Sequence, residues 1–391
     1  METLKRRFVQ LTVIIRYVLC LCYVKIFHIN HPEVWLISER GDDARDNGYA
    51  FYEYMKKTHP EIEFKYIISK KSQDFNRIAK EHLLIYRSWR HFIYFLTSKV
   101  LISAHVMGYS PEFRMFQKLD KKNLVFIKGK KVFLQHGIIK DDSPGLYKDA
   151  TKLDLFICGA KPEYDYVNKH FGYTNHEVVY TGLARYDNLK NTHQKYILLM
   201  PTWREYLFHC NHEGFLKSDY YKSYQRLINN KKLIHFLETN NYQLIFYPHY
   251  EIQKHLYLFS TSSKNVTIAN IKDYFVPDLL KGCELLITDY SSVYFDVAYL
   301  KKPVIYYQFD YKEYRSKHYK EGYFSYEEDG FGPVLKTEEK VINELLKSNK
   351  EKWKVSKKYQ ERRNRFFLYN DEKNCERIYK EILRILDGGI E

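Results

Sequence analysis

The sequence lacks the short motifs by which several common protein classes are recognised. Its six cysteines are scattered without a Cys-x-x-Cys pair, several of them within apolar runs. This predicts reduced, buried thiols in a cytosolic compartment rather than disulfides or a zinc site. Neither Gly-x-Gly-x-x-Gly nor a Walker A pattern occurs, which argues against a dinucleotide-dependent oxidoreductase and a P-loop NTPase. Asp-x-Asp is also missing, so a metal-bridged sugar-nucleotide site of that type is not supported.

The sequence has fewer acidic than basic residues. The 391 residues include 63 Lys and Arg against 48 Asp and Glu, a formal net charge of +15. Such an excess implies an acidic partner, which could be nucleic acid, anionic lipid or a polyanionic substrate. We find no zinc-finger spacing and no RNP-type aromatic motif. Nucleic-acid binding is therefore disfavoured, although a basic nucleic-acid-binding protein stays open as the alternative of another class.

The first thirty residues form a segment of their own. Lys5-Arg6-Arg7 precede an apolar stretch, Phe8–Phe27, which Arg16 and Lys25 interrupt. A cation near the middle of a spanning helix would cost a few kcal/mol, and no small-residue cleavage site follows. We therefore expect residues 1–30 to form an amphipathic helix at an anionic membrane surface. A helix packed on the protein, or a true span, are the alternatives.

Beyond this segment, short apolar runs alternate with amphipathic ones, which predicts parallel sheets covered by helices on both faces. A polar break at Asp187–Gln194 divides the chain into two doubly wound α/β domains, residues 31–190 and 191–391. Ligands of such sheets bind at the carboxyl ends of the strands, so we expect a cleft between the domains. The predicted strands are Val34–Ser38, Phe64–Ile68, His82–Tyr86, Val100–Ser103, Val132–Leu134 and Leu153–Cys158, then Tyr196–Met200, Leu244–Tyr247, Val266–Ala269, Glu284–Ile287 and Val304–Gln308. Tyr221–Thr239 is predicted to be one long helix, and the polar stretch between Met107 and Lys131 a loop.

Two histidines directly follow predicted strands. His136 lies in Gln135-His136-Gly137, and His249 lies in Pro248-His249-Tyr250. An imidazole with a pKa near neutrality suits a general base for an alcohol nucleophile, which we predict for His136. The second imidazole, His249, could donate to a leaving phosphate. For each, a hydrogen-bonded structural histidine is the competing interpretation.

Two further motifs follow strands in the second half and predict a phosphate site. Thr202, Trp203 and Arg204 could supply a guanidinium for phosphate and an indole for a base or ribose. Thr288-Asp289-Tyr290-Ser291-Ser292 ends a strand and opens a predicted helix, Val293–Leu300. Hydroxyls beside a helix N-terminus favour anion binding, although one serine could simply cap the helix. The predicted donor-binding residues are Thr202, Trp203, Arg204, Thr288, Asp289, Ser291 and Ser292.

These motifs, in this order, resemble the CDP-glycerol glycerophosphotransferase family, the teichoic acid primases and polymerases. Gln135-His136-Gly137 resembles its catalytic segment, Pro201-Thr202-Trp203-Arg204 its donor-side segment and Thr288–Val293 its donor phosphate segment. The resemblance covers about Val34 to Leu335. One departure is Tyr247-Pro248-His249-Tyr250, where the family usually has Lys-Pro-His-Pro. The missing lysine leaves the alcohol of the donor open between glycerol, ribitol and another alcohol.

The resemblance implies a GT-B fold and a monotopic enzyme at the cytoplasmic face of the membrane. It would transfer glycerol phosphate, or a related phosphoalcohol, from CDP-glycerol to a lipid-linked or polyphosphate acceptor. The product would be CMP and a teichoic acid or capsular polymer. By this resemblance His136 is the base, while His249, Arg204 and the two serines hold the diphosphate. No cofactor is expected, though loosely held Mg²⁺ stays open; a GT-B glycosyltransferase using a nucleotide sugar is the alternative enzyme.

Overall fold

The structure is a computed structural model that describes residues 2–174, 176–317 and 320–388, with no account of the side chains of residues 2–6 and 317. All paired strands within these ranges run parallel. The strands are β1 His31–Ser38, β2 Phe64–Ile68, β3 Leu83–Ile85, β4 Ser98–Ser103, β5 Lys130–Phe133, β6 Leu155–Cys158, β7 Val178–Tyr180, β8 Tyr196–Leu199, β9 Gln243–Phe246, β10 Val266–Ile268, β11 Leu285–Thr288, β12 Val304–Tyr307 and β13 Val334–Leu335.

Helices separate nearly all of these strands, as the alternating pattern predicts. The α-helices are α1 Glu2–Ile26, α2 Asn47–Thr58, α3 Trp89–Thr97, α4 Phe113–Lys121, α5 Lys148–Thr151, α6 Lys161–His170, α7 His212–Lys217, α8 Asp219–Ile228, α9 Lys231–Asn240, α10 Val276–Gly282, α11 Val293–Tyr299, α12 Tyr311–Lys317, α13 Glu338–Lys350, α14 Lys357–Phe366 and α15 Asn374–Leu386. Short 3₁₀ turns occupy Phe75–Arg77, Lys80–His82, Pro144–Leu146, Ala184–Asn188, Glu205–Leu207 and Tyr250–Leu258.

The chain folds into two compact units, each built on one sheet. The sheet of unit 1 has the strand order β3-β2-β1-β4-β5-β6-β7, and that of unit 2 has the order β10-β9-β8-β11-β12-β13. In each, the first strand of the unit lies beside the fourth, the reversal of strand order at which doubly wound sheets bind ligands. Central strand residues such as Leu36 and Ile287 are fully buried, so both faces of each sheet are covered. The predicted pair of doubly wound α/β domains is confirmed.

The division of the chain differs from the predicted 31–190 and 191–391 at its C-terminal end. Unit 1 comprises residues up to Ile138, Ser143–Asn188 and the residues from Phe367 onwards, whereas unit 2 comprises Ile139–Asp142 and Leu189–Phe366. The Asp187 carboxylate accepts the backbone N–H groups of Asn374 and Cys375 at 2.9 and 2.8 Å. It thereby caps the start of α15, whose apolar side joins the core of unit 1. Local sequence patterns do not predict that the C-terminal helix α15 packs on unit 1.

Two helical predictions also need correction. The predicted single helix Tyr221–Thr239 is two helices, α8 and α9, because the Asn230 side chain accepts from the N–H groups of Lys232 and Leu233 and starts a new helix. The polar stretch between Met107 and Lys131, predicted as a loop, contains α4. The sequence of this stretch is mostly polar because α4 buries only one narrow side.

Helix α1 packs on unit 1 along one side and is exposed along the other. One side of the helix, with Val13, Tyr17 and Cys20, is buried in the core of unit 1. Most of its other apolar side chains face solvent, at Phe8, Leu11, Ile14, Ile15, Val18, Leu19 and Ile26. Arg7–Ile26 is long and apolar enough to cross a membrane by length and composition, with 17% of it buried. The side chains of Lys5 and Arg6, which the sequence assigned to headgroup contact, lie outside the described residues.

Candidate functional site

In unit 2, the two donor motifs predicted from the sequence lie at the ends of neighbouring strands. Pro201–Arg204 follow β8 and Asp289–Ser292 follow β11, and these strands pair in parallel at the reversal of strand order. The Asp289 carboxylate joins the two loops, since it accepts the N–H groups of Thr202 at 2.8 Å and Tyr290 at 2.6 Å. The two motifs therefore form one local structure, although they are far apart in sequence.

Arg204 lies at the centre of this structure and is fully buried. Its guanidinium donates to the Asp289 carboxylate at 2.8 Å and to both carboxylate oxygens of Asp310, at 2.6 and 3.1 Å. The rings of Tyr290 and Tyr314 lie 4.9 and 5.2 Å from it. Burial favours the neutral form, but the two carboxylates outweigh it and raise the pKa of Arg204 well above its usual value.

This geometry assigns Arg204 a different role from the phosphate contact predicted for it. Its donors are directed at Asp289, Asp310 and the backbone carbonyl of Thr202, so a phosphate could reach it only after a buried ion pair was broken. Thr288 and Asp289 are also buried, and the Thr288 hydroxyl donates to the carbonyl of Met200. In this structure these three residues hold the loops in place rather than offer polar groups to a ligand.

Three hydroxyls of the predicted set remain open to a ligand. Thr202, Ser291 and Ser292 are half-buried, and none of their side-chain oxygens has a hydrogen-bond partner among the residues described. The Ser292 side chain does not cap α11, so the competing interpretation as a helix cap does not apply to it. These hydroxyls can donate to anionic oxygens at the ends of β8 and β11.

Next to these hydroxyls, His249 and Trp203 form an aromatic pair. Their rings are nearly parallel, with centroids 6.1 Å apart, and Tyr250 lies 4.3 Å from the imidazole. The Nδ1 atom of His249 accepts from the backbone N–H of Glu251 at 3.3 Å. In the neutral ring the proton therefore belongs on Nε2, where it could be donated.

In unit 1, His136 lies just past the end of β5 on a left-handed turn. Gln135 has a φ of +62°, a conformation that costs energy in residues other than glycine. The buried side chain of Asn47 holds this turn by donating to the Gln135 carbonyl at 2.8 Å, and the Arg185 guanidinium donates to the His136 carbonyl at 3.2 Å. The turn directs the imidazole away from the core, and its side chain is exposed.

The surroundings of His136 keep it mostly neutral. Although solvent reaches the side chain, the surrounding protein limits hydration of the ring and lowers its pKa below the usual value. The Asp46 carboxylate opposes this effect, while Arg185 and Arg40 add to it. A hydrogen bond from the ring to the backbone of Ala104 also favours the charged form. With one nitrogen used in that bond, the other is available to accept a proton.

His105 also lies in this region, and the sequence did not identify it. It follows β4, which pairs with β5, and its ring stacks on that of His136 with centroids 4.6 Å apart and an interplanar angle of 20°. The rule that identified His136, a polar residue just after a strand, applies equally to His105. The sequence-based prediction singled out no residue at the end of β4, because the polar stretch between Met107 and Lys131 that comes next was predicted to be a loop.

Among the residues described, no group of metal ligands marks either region. Within residues 2–174, 176–317 and 320–388 no three His, Cys, Asp or Glu side chains are grouped so as to hold a metal ion. One cavity of about 410 Å³ in unit 2 is lined by residues outside the predicted motifs, namely Cys210, Asn211, His212, Glu213, Lys254 and His255. The expectation of a reaction without a bound cofactor stays a prediction.

Comparison with known proteins gives a consistent result. Residues 20–384 match the protein family described as CDP-Glycerol:Poly(glycerophosphate) glycerophosphotransferase. The chain is 36% identical over 372 residues to the minor teichoic acid biosynthesis protein GgaB of Bacillus subtilis (strain 168), with 91% of this chain and 40% of that protein covered. It is 22% identical over 375 residues to the teichoic acid poly(glycerol phosphate) polymerase of the same organism, covering 89% of this chain and 48% of the polymerase.

A solved structure of the wall teichoic acid polymerase TagF has the same fold. It superposes with a TM-score of 0.67 at 18% identity, covering 93% of this chain and 91% of that chain. The GT-B-like fold that the sequence resemblance implied is thereby confirmed. The chain spans less than half the length of the two curated relatives described above.

Proposed function

The chain belongs to the CDP-glycerol:poly(glycerophosphate) glycerophosphotransferase family, and from this we propose that it transfers glycerol phosphate from CDP-glycerol to an acceptor hydroxyl in teichoic acid biosynthesis. The family match over residues 20–384 is the observation that supports this most strongly. The open hydroxyls of unit 2 and the mostly neutral imidazole of unit 1 are the two kinds of group that such a reaction needs.

The chemical step begins at His136. Its free nitrogen accepts the proton of the acceptor hydroxyl as the hydroxyl oxygen attacks the phosphorus that bears glycerol. The bond from that phosphorus to the bridging oxygen breaks, and CMP leaves with the electron pair. Asp46 and the Ala104 backbone favour the imidazolium that forms. A lowered pKa keeps His136 unprotonated, and therefore active as a base, at neutral pH.

On the donor side, we assign the diphosphate to the hydroxyls of Thr202, Ser291 and Ser292. Each could donate to a phosphate oxygen without breaking an existing bond in the part of the chain that is described. His249 would donate from Nε2 to the departing phosphate, and Trp203 would hold its ring by stacking. The charge on the diphosphate would then be met by neutral donors and one imidazole, with Arg204 fixing the loops from behind.

The enzymatic test uses the full chain with CDP-glycerol labelled in the glycerol-bearing phosphate and an acceptor polymer. We expect CMP release, with the label retained in the polymer. Release of a nucleotide from a nucleotide sugar, with no turnover of CDP-glycerol, would favour the glycosyltransferase alternative. Duplex binding that weakens with salt, without donor turnover, would favour the nucleic-acid-binding alternative.

The role of His136 is tested by substitution. His136→Ala should lower turnover by about 100-fold or more with donor binding nearly intact, because the base is lost but the diphosphate site is not. His170→Ala, at an exposed histidine of unit 1, is the matched control and should leave turnover unchanged. Normal turnover of His136→Ala would remove the assignment of the base.

We further propose that the exposed side of α1 attaches the protein to the cytoplasmic face of an anionic membrane, where a lipid-linked or polyphosphate acceptor would be met. Leu11, Ile15 and Leu19 are about half exposed and lie four residues apart, on one side of the helix. An exposed apolar stripe with nearby cations suits the headgroup boundary. The proposal rests on this stripe and on the net charge of +15.

Charged substitutions test the attachment without removing the buried side of α1. The triple substitution of Leu11, Ile15 and Leu19 to Glu should abolish sedimentation with vesicles of anionic lipid, because three charges would have to enter the apolar boundary. Leu368→Glu, at an exposed leucine outside α1, is the matched control and should sediment as the native protein does. Undiminished sedimentation of the triple variant would show that α1 is not the attachment surface.

A further inference from the structure

The proposed reaction assigns no role to the imidazole of His105, which stacks on that of His136. We propose that His105 is a positioning residue, whose uncharged ring fixes the plane of His136 and shields one face of that ring from water. This inference rests on the proposed base role of His136. It adds a residue that acts through His136 and does not touch the reacting atoms.

Hydrogen bonds of the backbone hold His105, as they hold His136, at the end of its strand. The Ser103 hydroxyl donates to the Glu39 carbonyl at 2.7 Å and accepts the N–H of His105 at 3.1 Å. The N–H of Leu134 donates to the Ser103 carbonyl at 2.8 Å, which extends the pairing of β4 and β5 up to the two histidines. Both rings therefore leave adjacent, paired strands, so their stacking follows from the sheet itself.

Stacking on His105 restricts a rotation of the His136 ring that the other contacts of this ring do not prevent. The Ala104 backbone bonds one nitrogen of the His136 ring, but a single hydrogen bond permits the ring to swing about it. A flat neighbour at a centroid distance of 4.6 Å and 20° restricts the ring to one plane. The free nitrogen then points in one direction, and a proton transfer depends steeply on that direction.

The charge state of His105 suits this role. Loss of hydration, the neighbouring His136 and Arg40 together lower the pKa of His105 to about 2, so its ring stays neutral at physiological pH. A neutral His105 covers one face of the His136 ring without adding charge, whereas a protonated His105 would repel the imidazolium formed in the reaction. The charged groups that face the pair are Asp46, which precedes α2, Arg185 and Arg40.

The test compares two variants, His105→Ala and His105→Phe. In His105→Ala, water replaces the ring, so we expect the pKa of His136 to rise by about 0.5–1 pH unit. The acidic limb of the kcat/KM profile should shift to higher pH with it, and kcat should fall about 10-fold. The KM for CDP-glycerol should not change. His105→Phe restores a flat face and should return both quantities close to the native values.

Direct titration of His136 by NMR separates this inference from the proposed function. If the native protein transfers no glycerol phosphate but the His136 pKa still rises in His105→Ala and returns in His105→Phe, the function fails and the positioning stands. An unchanged His136 pKa in a folded His105→Ala protein would overturn the inference. So would a His105→Phe variant as impaired as His105→Ala, because the ring nitrogens, and not the flat face, would then be required.

Discussion

Replacement of Arg204 distinguishes the role that its geometry indicates from the phosphate contact predicted from the sequence. Its side chain, like that of Asp289, has no exposed surface, and that of Asp310 is 3% exposed. Arg204→Met removes the cation but keeps much of the volume. Two buried carboxylates then lose the cation that neutralises them, and removal of one member of a buried ion pair is strongly destabilising.

The expected loss of stability is large. Removal of one partner of a buried, hydrogen-bonded ion pair costs about 3–5 kcal/mol. For units of this size, 1 kcal/mol corresponds to about 2–4 °C in Tm, so we expect a decrease of about 6–20 °C. The matched control is Arg365→Met, because Arg365 is 61% exposed and lies 3.6 Å from Asp329. Exposed pairs contribute about 0–1 kcal/mol, so its Tm should change by no more than about 4 °C.

The assay measures thermal unfolding and CDP-glycerol affinity on the same samples, with calorimetry performed well below the unfolding transition. The double variant Arg204→Met/Asp310→Asn should lose less stability than the sum of the two single variants, because Asp310→Asn removes one of the uncompensated charges. If Arg204→Met unfolded at the native Tm while its affinity for CDP-glycerol fell 10-fold or more, the guanidinium would bind phosphate, and the structural role argued here would be wrong.

Two further predictions concern the open hydroxyls and a half-buried carboxyl. Ser291→Ala should raise the KM for CDP-glycerol about 10- to 100-fold, since a hydrogen bond to a charged group contributes about 1.5–3 kcal/mol, with Tm unchanged because the hydroxyl has no partner in the described residues. Steady-state kinetics and thermal unfolding measure both. Loss of hydration and the nearby Asp42 raise the pKa of Asp43 to about 6. A raised pKa means that the folded state binds the extra proton, so this stabilisation is complete below about pH 4 and is lost as the pH rises to 6. Asp43→Asn should therefore be more stable than the native protein at pH 7 by about 1–2 kcal/mol, after a discount for the exposed third of the side chain, and the difference should vanish near pH 4 in urea titrations.

Much of the fold could be predicted because its strands are continuous apolar runs. Strand β2, Phe64–Ile68, has the bounds expected from the sequence, since burial on both faces of a sheet makes most of the strand apolar. The elements that were missed leave weaker signals. Strand β7 has only three residues, and α4 buries only a narrow side. The return of α15 to unit 1 depends on the distant carboxylate of Asp187, which no local pattern reveals.

The location of the candidate residues just after strands could be predicted better than their burial and contacts. Polar residues after strands identified His136 and both donor motifs, because parallel sheets place the ends of all strands at one edge. The same rule does not show which of these side chains are buried and which are open to a ligand. Ser291 and Asp289 belong to one short motif, yet the serine is open to a ligand and the aspartate is buried. The burial of Asp289 depends on residues that are distant in sequence, Arg204 and Asp310.

The buried ion pair also explains why the two donor motifs occur together. Arg204 and Asp289 are 85 residues apart in sequence, and neither could be buried alone without a penalty of several kcal/mol. Together they are satisfied, and the same Asp289 carboxylate fixes the backbone of Thr202 and Tyr290 on the two loops. A ligand site made of small hydroxyls needs such support, because hydroxyls recognise a diphosphate only if the loops that bear them keep their spacing. The charged residues of the motifs thus fix the loops that carry the hydroxyls proposed to bind the donor.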